Sequence, residues 1–272
     1  GPPSGGDRLT RGGSWRDATS PGCYCEGWGV SVNGTTSGFA NVSVDGVNNL
    51  SVDSFASTAS TATSMVHLTS LPGLTVTHAY SPSDNAPGVL FKTVVTITNT
   101  TGATVHDCKY VRVMDWAVPP SEFSEFVTIK GTSATALEES GANGFNSANP
   151  LAGYSAGGYG CHDADCVDAG PADHGAYFRF NFGSLADGAS FTFTTFYGAA
   201  ATEAAALAAL VAEGAGLYSF GQQNGDPAGG TPATFIFAFD GVGDPPVVPE
   251  PASMALLGIG ALGLAMARRR KA

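Results

Sequence analysis

Apolar and polar residues alternate with a two-residue period through most of the chain, which limits what it can fold into. In the segment YFRFNFGSL, Phe178, Phe180 and Phe182 share one face of an extended strand, and the residues between them share the other. The segment SFTFTTFYG repeats this pattern after the turn-like residues 186–188. Because a period of two is that of a β-strand, the two segments predict a β-hairpin.

Similar runs, rich in β-branched and aromatic residues, recur between short turns. They predict strands at 27–32, 38–44, 51–57, 62–68, 74–80, 90–99, 107–118, 126–130 and 234–239. Only EAAALAALVAE, residues 203–213, predicts a soluble helix, because Glu203 suits the start of a helix and Gly214 suits its end. Many short strands and one helix indicate an all-β fold, an antiparallel β-sandwich of about ten or more strands.

Composition divides the chain into four parts. Residues 1–22 are rich in Gly, Ser and Pro and predict a flexible leader, and residues 23–242 predict the sandwich domain. Within that domain, residues 140–176 break the alternation and predict one long loop. Residues 243–251 form a linker that contains Pro-Glu-Pro, and residues 252–272 form an apolar helix with a basic tail. The first twenty residues contain neither Met nor a secretory signal peptide, so we expect a fragment or a processed form.

Charge is sparse and mostly negative. The 272 residues include 12 Lys and Arg against 23 Asp and Glu, for a formal net charge of −11. Three arginines lie within the first 16 residues and four cations lie within the last five, which leaves five basic residues scattered between them. Nucleic-acid binding requires several cations along one face, so the sequence argues against a nucleic-acid partner.

The C-terminal end has an ordered three-part pattern. Pro249, Glu250 and Pro251 precede an apolar run at 252–267, and a basic cluster follows. Sixteen helical residues would be about 24 Å long, slightly short of a hydrocarbon core of about 30 Å, but basic side chains can reach the headgroups. We therefore expect 252–267 to span a membrane with its basic end in the cytoplasm. The basic cluster comprises Arg268, Arg269, Arg270 and Lys271.

This C-terminal pattern resembles the PEP-CTERM sorting signal. The resemblance implies export across the inner membrane of a Gram-negative bacterium, then recognition and cleavage near Pro249–Pro251 by an exosortase-type enzyme. It also implies a final place at the cell surface or in an exopolysaccharide matrix. The body of the chain, which opens with CEGWG and ends with FIFAF, is similar to uncharacterised exported β-sandwich passenger domains. Proteins that carry the signal are diverse, so the resemblance implies an address and no activity.

The five cysteines allow several arrangements in the oxidising compartment that export implies. Cys161 and Cys166 could close a small ring, whereas Cys23 and Cys25, with one residue between them, are less favourable partners for each other. Two cross-links between these pairs are an alternative, and a zinc site made from all four residues is another. Cys108 would then be a buried thiol or one that forms a dimer.

Acidic residues are concentrated in the long loop. Asp163, Asp165 and Asp168 offer oxygen ligands at spacings that suit calcium. The loop lacks the Gly and the bidentate Glu of an EF-hand, so a solvated acidic loop without a bound metal is the favoured interpretation, and we expect no cofactor.

The segment MDWAVPPSEFSE contains the best candidate for catalysis. Asp115 with Glu122 or Glu125 could provide the carboxyl pair of a glycosidase, and Trp116 could stack on a sugar. Structural roles for these residues are the favoured interpretation. The chain has no Gly-x-Ser-x-Gly, no phosphate-binding glycine loop and no His-Glu-x-x-His.

Together these features predict an exported, non-enzymatic protein with a structural role at the cell surface or in the matrix. One alternative is carbohydrate binding by exposed aromatic residues, for which Trp28, Trp116 and Tyr159 are candidates. Another is a glycan-active hydrolase that uses Asp115 and Glu122. The expected partners are an exosortase-type enzyme, the membrane and exopolysaccharide.

Overall fold

β-Strands make up almost all of the regular secondary structure that the described part of the chain contains. The computed structural model describes residues 8–11, 14–19, 23–225 and 233–243, and within these ranges it has 17 strands and one α-helix. The strands are β1 (Arg8–Arg11), β2 (Ser14–Asp17), β3 (Gly27–Val32), β4 (Thr36–Asn41), β5 (Gly46–Asn48), β6 (Leu50–Ser57), β7 (Ala62–Leu68), β8 (Leu71–Pro82), β9 (Leu90–Asn99), β10 (Lys109–Asp115), β11 (Glu125–Lys130), β12 (Leu137–Gly141), β13 (Cys166–Ala172), β14 (Gly175–Asn181), β15 (Ser190–Ala200), β16 (Leu217–Gln222) and β17 (Thr234–Asp240). The helix α1 (Glu203–Glu213) lies between β15 and β16.

Most strands belong to two large antiparallel sheets. The six-stranded sheet has the order β12-β14-β10-β3-β4-β5, and the nine-stranded sheet has the order β13-β11-β16-β17-β15-β9-β8-β7-β6. Strands β1 and β2 pair only with each other. The prediction of an all-β fold with antiparallel sheets and one short helix is confirmed.

Aromatic side chains fill the space between the two large sheets. Phe178 and Phe180 of β14 face the nine-stranded sheet, and their rings lie 5.0 and 4.9 Å from the ring of Phe239 on β17. Phe193 of β15 lies 5.9 Å from Phe180 and 5.1 Å from Tyr110 of β10. Phe178, Phe180 and Phe239 are fully buried, so these rings form the centre of the core.

The predicted hairpin between β14 and β15 is wrong. Strand β14 pairs with β10 and β12, whereas β15 pairs with β9 and β17 in the other sheet. In a hairpin the two rows of Phe side chains would point to the same side. Because the connection crosses between the sheets, the rows instead meet across the core, and Phe182 stacks 5.4 Å from Phe191 and 5.2 Å from Phe193.

The helix has the bounds that its sequence predicts. The Thr202 side chain accepts a hydrogen bond from the backbone N–H of Ala205, and Gly214 ends the helix with φ of 80°. Its buried residues Ala206, Ala209 and Leu210 cover the outer face of the nine-stranded sheet, where they belong to a second apolar cluster with Phe220 and Ile236 of the sheet.

Strand predictions agree closely with the structure in several places and miss strands in others. Strands β3, β7 and β9 have the predicted bounds. All six residues of β16 are buried, because α1 covers one face of the nine-stranded sheet and the core covers the other, so the sequence shows no alternation there. The predicted long loop at 140–176 is wrong in part, since β13 and the end of β12 lie within it.

The two ends of the chain are described only in part. Within the predicted flexible leader, 1–22, the structure has the strands β1 and β2, and it buries Ala18, whose carbonyl accepts a hydrogen bond from the N–H of Ala117 at 2.6 Å. The predicted Pro-Glu-Pro linker and apolar helix lie outside the described residues, apart from Gly243. Among the described residues, no helix has the length and apolar character needed to cross a membrane.

The core arrangement predicts a large difference between two Phe substitutions. Phe180→Ala should lower the free energy of unfolding by about 3–5 kcal/mol, because it leaves a cavity between the sheets. Phe55→Ala, which changes a side chain 63% exposed on β6, should change it by less than about 0.5 kcal/mol. Urea unfolding of the full chain measures both values, and equal losses would contradict the proposed core.

Candidate functional site

Three carboxyl groups meet at one end of the sandwich, and we call them the acid cluster. Asp115 ends β10, Glu125 begins β11, and Asp173 lies in the turn between β13 and β14. Asp115 is 5% exposed and Glu125 is fully buried. Since β10 and β11 belong to different sheets, the cluster lies where the two sheets come together.

The acid cluster has few hydrogen bonds for its burial. Oε1 of Glu125 accepts the backbone N–H of His174 at 2.8 Å, and Oε2 accepts that of Ser124 at 3.1 Å. Oδ2 of Asp115 lies 3.7 Å from Sγ of Cys23. Oδ1 of Asp115 and Oδ1 of Asp173 have no hydrogen-bond partner among the described residues.

Burial and mutual repulsion favour the protonated forms of Asp115 and Glu125. Burial, with a smaller contribution from the charge of Asp173, raises the pKa of Asp115 from 3.8 to about 7. Burial likewise raises the pKa of Glu125 from 4.5 to about 8, and it raises that of Asp173. Burial lowers the pKa of His174, so this side chain is neutral. Near neutral pH Glu125 is therefore mostly protonated, and Asp115 is protonated in part.

The loop between β12 and β13 covers the acid cluster. The ring of Tyr159 lies 5.9 Å from that of His174. Gly144 lies so close to β10 that an added Cβ would be 2.5 Å from the carbonyl oxygen of Met114 and 2.8 Å from Cα of Asp115. Glycine is required at this point, because any side chain would push the loop away from the cluster.

The structure changes the predicted catalytic pair. Glu122 is half-buried in the segment before β11, and it is Glu125 whose pKa the charge of Asp115 helps to raise. Trp116 is fully buried, and its indole N–H donates to Oγ of Ser219 at 3.1 Å, so the prediction of Trp116 as a sugar-stacking surface residue is wrong. The burial of Asp115 and Glu125 also keeps both carboxyl groups from contact with a glycan in this conformation.

The cysteines form two local pairs. Cys161 pairs with Cys166 and Cys23 pairs with Cys25, with Cα separations of 5.6 and 5.0 Å. The single residue between Cys23 and Cys25 disfavoured that pair, but the backbone there brings the Cα atoms within the disulfide range. The predicted cross-links between the pairs are absent, and so is the four-cysteine zinc site, which requires free thiolates. Cys108 is fully buried, as the buried-thiol alternative predicts.

The three aspartates of the proposed calcium loop do not converge. Oδ1 of Asp163 accepts the N–H of Ser140, and Oδ1 of Asp165 accepts both donors of Thr132. The backbone N–H of Asp168 donates to Thr128 at 3.1 Å. Each contact ties a different point of the loop to the β11–β12 region, so these residues serve as anchors in the structure.

A second polar site, which we call the inter-sheet site, consists of Glu26, Trp28, Tyr80, Arg112 and Tyr197. Arg112 of β10 points between the sheets and forms an ion pair with Glu26. The hydroxyl of Tyr197 on β15 donates to the same Glu26 oxygen at 2.8 Å. The guanidinium carbon of Arg112 lies 5.5 Å from the centre of the Tyr197 ring, a cation–π contact.

The inter-sheet site extends from buried Arg112 to solvent-exposed Glu26. The Arg112 side chain is 8% exposed, whereas that of Glu26 is 40% exposed. Nε of Arg112 has no hydrogen-bond partner among the described residues. Next to it, His78 shares a 2.8 Å hydrogen bond with the hydroxyl of Tyr110, and burial together with the charge of Arg112 lowers the pKa of His78 to about 3.

Sequence reasoning missed the inter-sheet site, although one signal was present. In the strand KYVRVMD, Arg112 occurs at the same parity as Tyr110 and Met114, which are buried in the core. A basic residue on the buried face of an alternating strand needs a partner, because an isolated buried charge is very costly. This argument identifies Arg112 as a residue that needs a partner, but it does not identify Glu26 as that partner.

Comparison with known protein families identifies a motif at the C-terminal end of the given sequence. Residues 247–271 match the family model of the PEP-CTERM protein-sorting motif. The chain carries a PEP-CTERM protein-sorting motif at residues 247–271. The resemblance of Pro249, Glu250 and Pro251 with their basic cluster is thereby confirmed. The signal implies export, membrane-anchored sorting and processing by an exosortase-type enzyme. No curated protein and no solved structure matches the chain.

The acid cluster predicts that this protein loses stability as the pH rises. Between about pH 4 and pH 8 the unfolded chain releases the protons of Asp115 and Glu125, whereas the folded chain retains them, so unfolding becomes more favourable. Urea unfolding across this window measures the slope. The double variant Asp115→Asn, Glu125→Gln should flatten it, and Glu122→Gln is the matched control that should leave it unchanged. An unaltered slope in the double variant would contradict the prediction.

Proposed function

We propose that this protein is a structural, non-enzymatic component of the cell surface or the exopolysaccharide matrix of a Gram-negative bacterium. The observation that carries the proposal is the ordered sorting motif at 247–271, placed directly after a β-sandwich. In this proposal, residues 252–267 hold the chain in the inner membrane until the exosortase-type enzyme cleaves it near Pro249–Pro251.

The charge of the body supports a place outside the membrane and apart from nucleic acid. Residues 1–251 hold 8 basic and 23 acidic residues, a net charge of −15. A large net charge of one sign keeps a protein soluble and separate from its copies. The two local cysteine pairs also suit an oxidising compartment.

The state of the titratable groups supports a role without catalysis. The carboxyl groups with the most strongly raised pKa values, Asp115 and Glu125, are buried beneath the loop that contains Tyr159. A general acid must reach the atom that it protonates, and neither group reaches the surface in this conformation.

A second candidate function is carbohydrate binding, and the inter-sheet site favours it. Trp28, a candidate from the sequence, is half-buried beside the Arg112–Glu26 ion pair, where part of its ring surface remains available. Tyr159, the other remaining candidate, lies in the loop over the acid cluster.

The proposed processing predicts a change of mass that depends on the host. When expressed with its exosortase-type enzyme, the protein should lose the C-terminal segment that follows the Pro-Glu-Pro motif, and intact-mass measurement would show this loss. Glu250→Ala should prevent the loss because it alters the motif. Asp244→Ala is the matched control, since it removes an acidic residue that lies outside 247–271. Normal processing of the Glu250 variant would contradict the proposed cleavage.

The proposed location can be tested separately from the processing. Protease treatment of intact host cells should degrade a surface-exposed sandwich, and extraction of the exopolysaccharide should release the matrix-bound fraction. A protein protected in intact cells and absent from the extract would contradict the surface or matrix location.

A further inference from the structure

We propose that the inter-sheet site binds one neutral hexose unit of a glycan. The inference deepens the second candidate function above, and it depends on neither cleavage nor a particular location of the protein. It rests on three features of the site: a paired donor and acceptor, an unused donor in the interior, and partly exposed aromatic rings.

The Arg112–Glu26 pair offers a donor and an acceptor side by side. Glu26 is 40% exposed, so its carboxylate can accept a hydrogen bond from a ligand hydroxyl. The guanidinium of Arg112 provides five N–H donors in a fixed plane, of which the Glu26 contact uses one. Vicinal hydroxyls of a hexose present a donor and an acceptor at similar spacing, and they match this pair.

The interior of the site retains an unused donor. Arg112 is 7% exposed as a residue, and its Nε has no partner among the described residues. Leaving a buried donor unsatisfied costs about 1–3 kcal/mol, and more for a charged group. Because Nε is buried, a ligand hydroxyl would reach it through a bridging water, which would recover part of this cost and favour a polar ligand over an apolar one.

Aromatic residues lie close to the ion pair. Trp28, Tyr80 and Tyr197 are all half-buried, and Trp28 lies parallel to the buried ring of Tyr110 at 6.1 Å. Rings that are fixed by stacking from behind offer a rigid apolar surface at little entropic cost. Such surfaces pack against the C–H face of a pyranose while the ion pair binds its hydroxyls.

The charges favour a neutral sugar over an acidic one. Glu26 already occupies one side of the Arg112 guanidinium, so an anionic ligand would have to displace it or approach a carboxylate. The body also carries a net charge of −15, which repels polyanions at long range. His78 adds no positive charge, because burial lowers its pKa to about 3.

Titration with simple sugars tests the proposal on the full chain in a detergent that contains no sugar. The probes are the methyl glycosides of glucose, galactose and mannose, with methyl glucuronide as the acidic comparison. Saturation-transfer NMR measures binding, and tryptophan fluorescence reports on Trp28, with Trp28→Phe identifying the source of the signal. At least one neutral glycoside should bind saturably and more tightly than the glucuronide.

Two matched variants locate the binding. Glu26→Gln should weaken it about tenfold or more, as loss of a charge-assisted hydrogen bond predicts. Glu138→Gln alters another Arg–Glu pair of the same sheet, the one with Arg179, and should leave binding unchanged. If Glu26→Gln lowers the melting temperature substantially, Tyr197→Phe replaces it, because that variant keeps the ring and removes only the hydroxyl bonded to Glu26.

Three results would overturn the inference. These are no saturable binding by any neutral glycoside, tighter binding of the glucuronide, and equal effects of the Glu26 and Glu138 variants. None of them bears on cleavage at the C-terminus. Conversely, normal sugar binding by a chain that its host does not process would contradict the proposed maturation and leave this site in place.

Discussion

Contact between β14 and β15 across the core determines where everything else in the sandwich lies. The two strands follow each other in sequence but belong to opposite sheets, so their Phe rows meet face to face. Burying a Phe side chain contributes about 1.5–3 kcal/mol, which makes this aromatic layer a principal source of stability. It also fixes β10, the neighbour of β14, opposite the nine-stranded sheet, and β10 contributes Arg112 and Asp115 to the two polar sites.

The two polar sites show different ways of placing ionisable groups inside a sandwich. Arg112 keeps its charge, because Glu26 and the ring of Tyr197 compensate for the loss of water. Among the described residues no cation lies beside Asp115 and Glu125, and their raised pKa values reduce the cost of a buried charge because the protonated form is favoured. The site of Arg112 is partly exposed to solvent through Glu26. The site of Asp115 and Glu125 lies under a loop and is largely buried.

The sequence predicted local structure well and long-range pairing poorly, for physical reasons. Strands β3, β7 and β9 and the helix α1 have strong local signals, namely alternation and the caps Thr202 and Gly214. Alternation is the same in a hairpin and in a crossing between sheets, so it could not reveal that β14 and β15 do not pair. The choice between Glu122 and Glu125 beside Asp115 likewise depends on where β11 begins. The partner of Arg112 depends on tertiary contacts that no local pattern records.

The position of β17 has a consequence for the tether between the body and the sorting motif. This last described strand lies inside the nine-stranded sheet, between β16 and β15, so the sheet is incomplete until residues 234–240 have joined it. From Gly243 to Pro249 the chain has six peptide steps, which can span no more than about 20 Å in any conformation. Under the proposed cleavage near Pro249–Pro251, an exosortase-type enzyme that acts on the folded protein must therefore accommodate a complete β-sandwich close to the bond it cleaves. Because this tether is short, the size of the folded body limits how an exosortase-type enzyme can approach the proposed cleavage site.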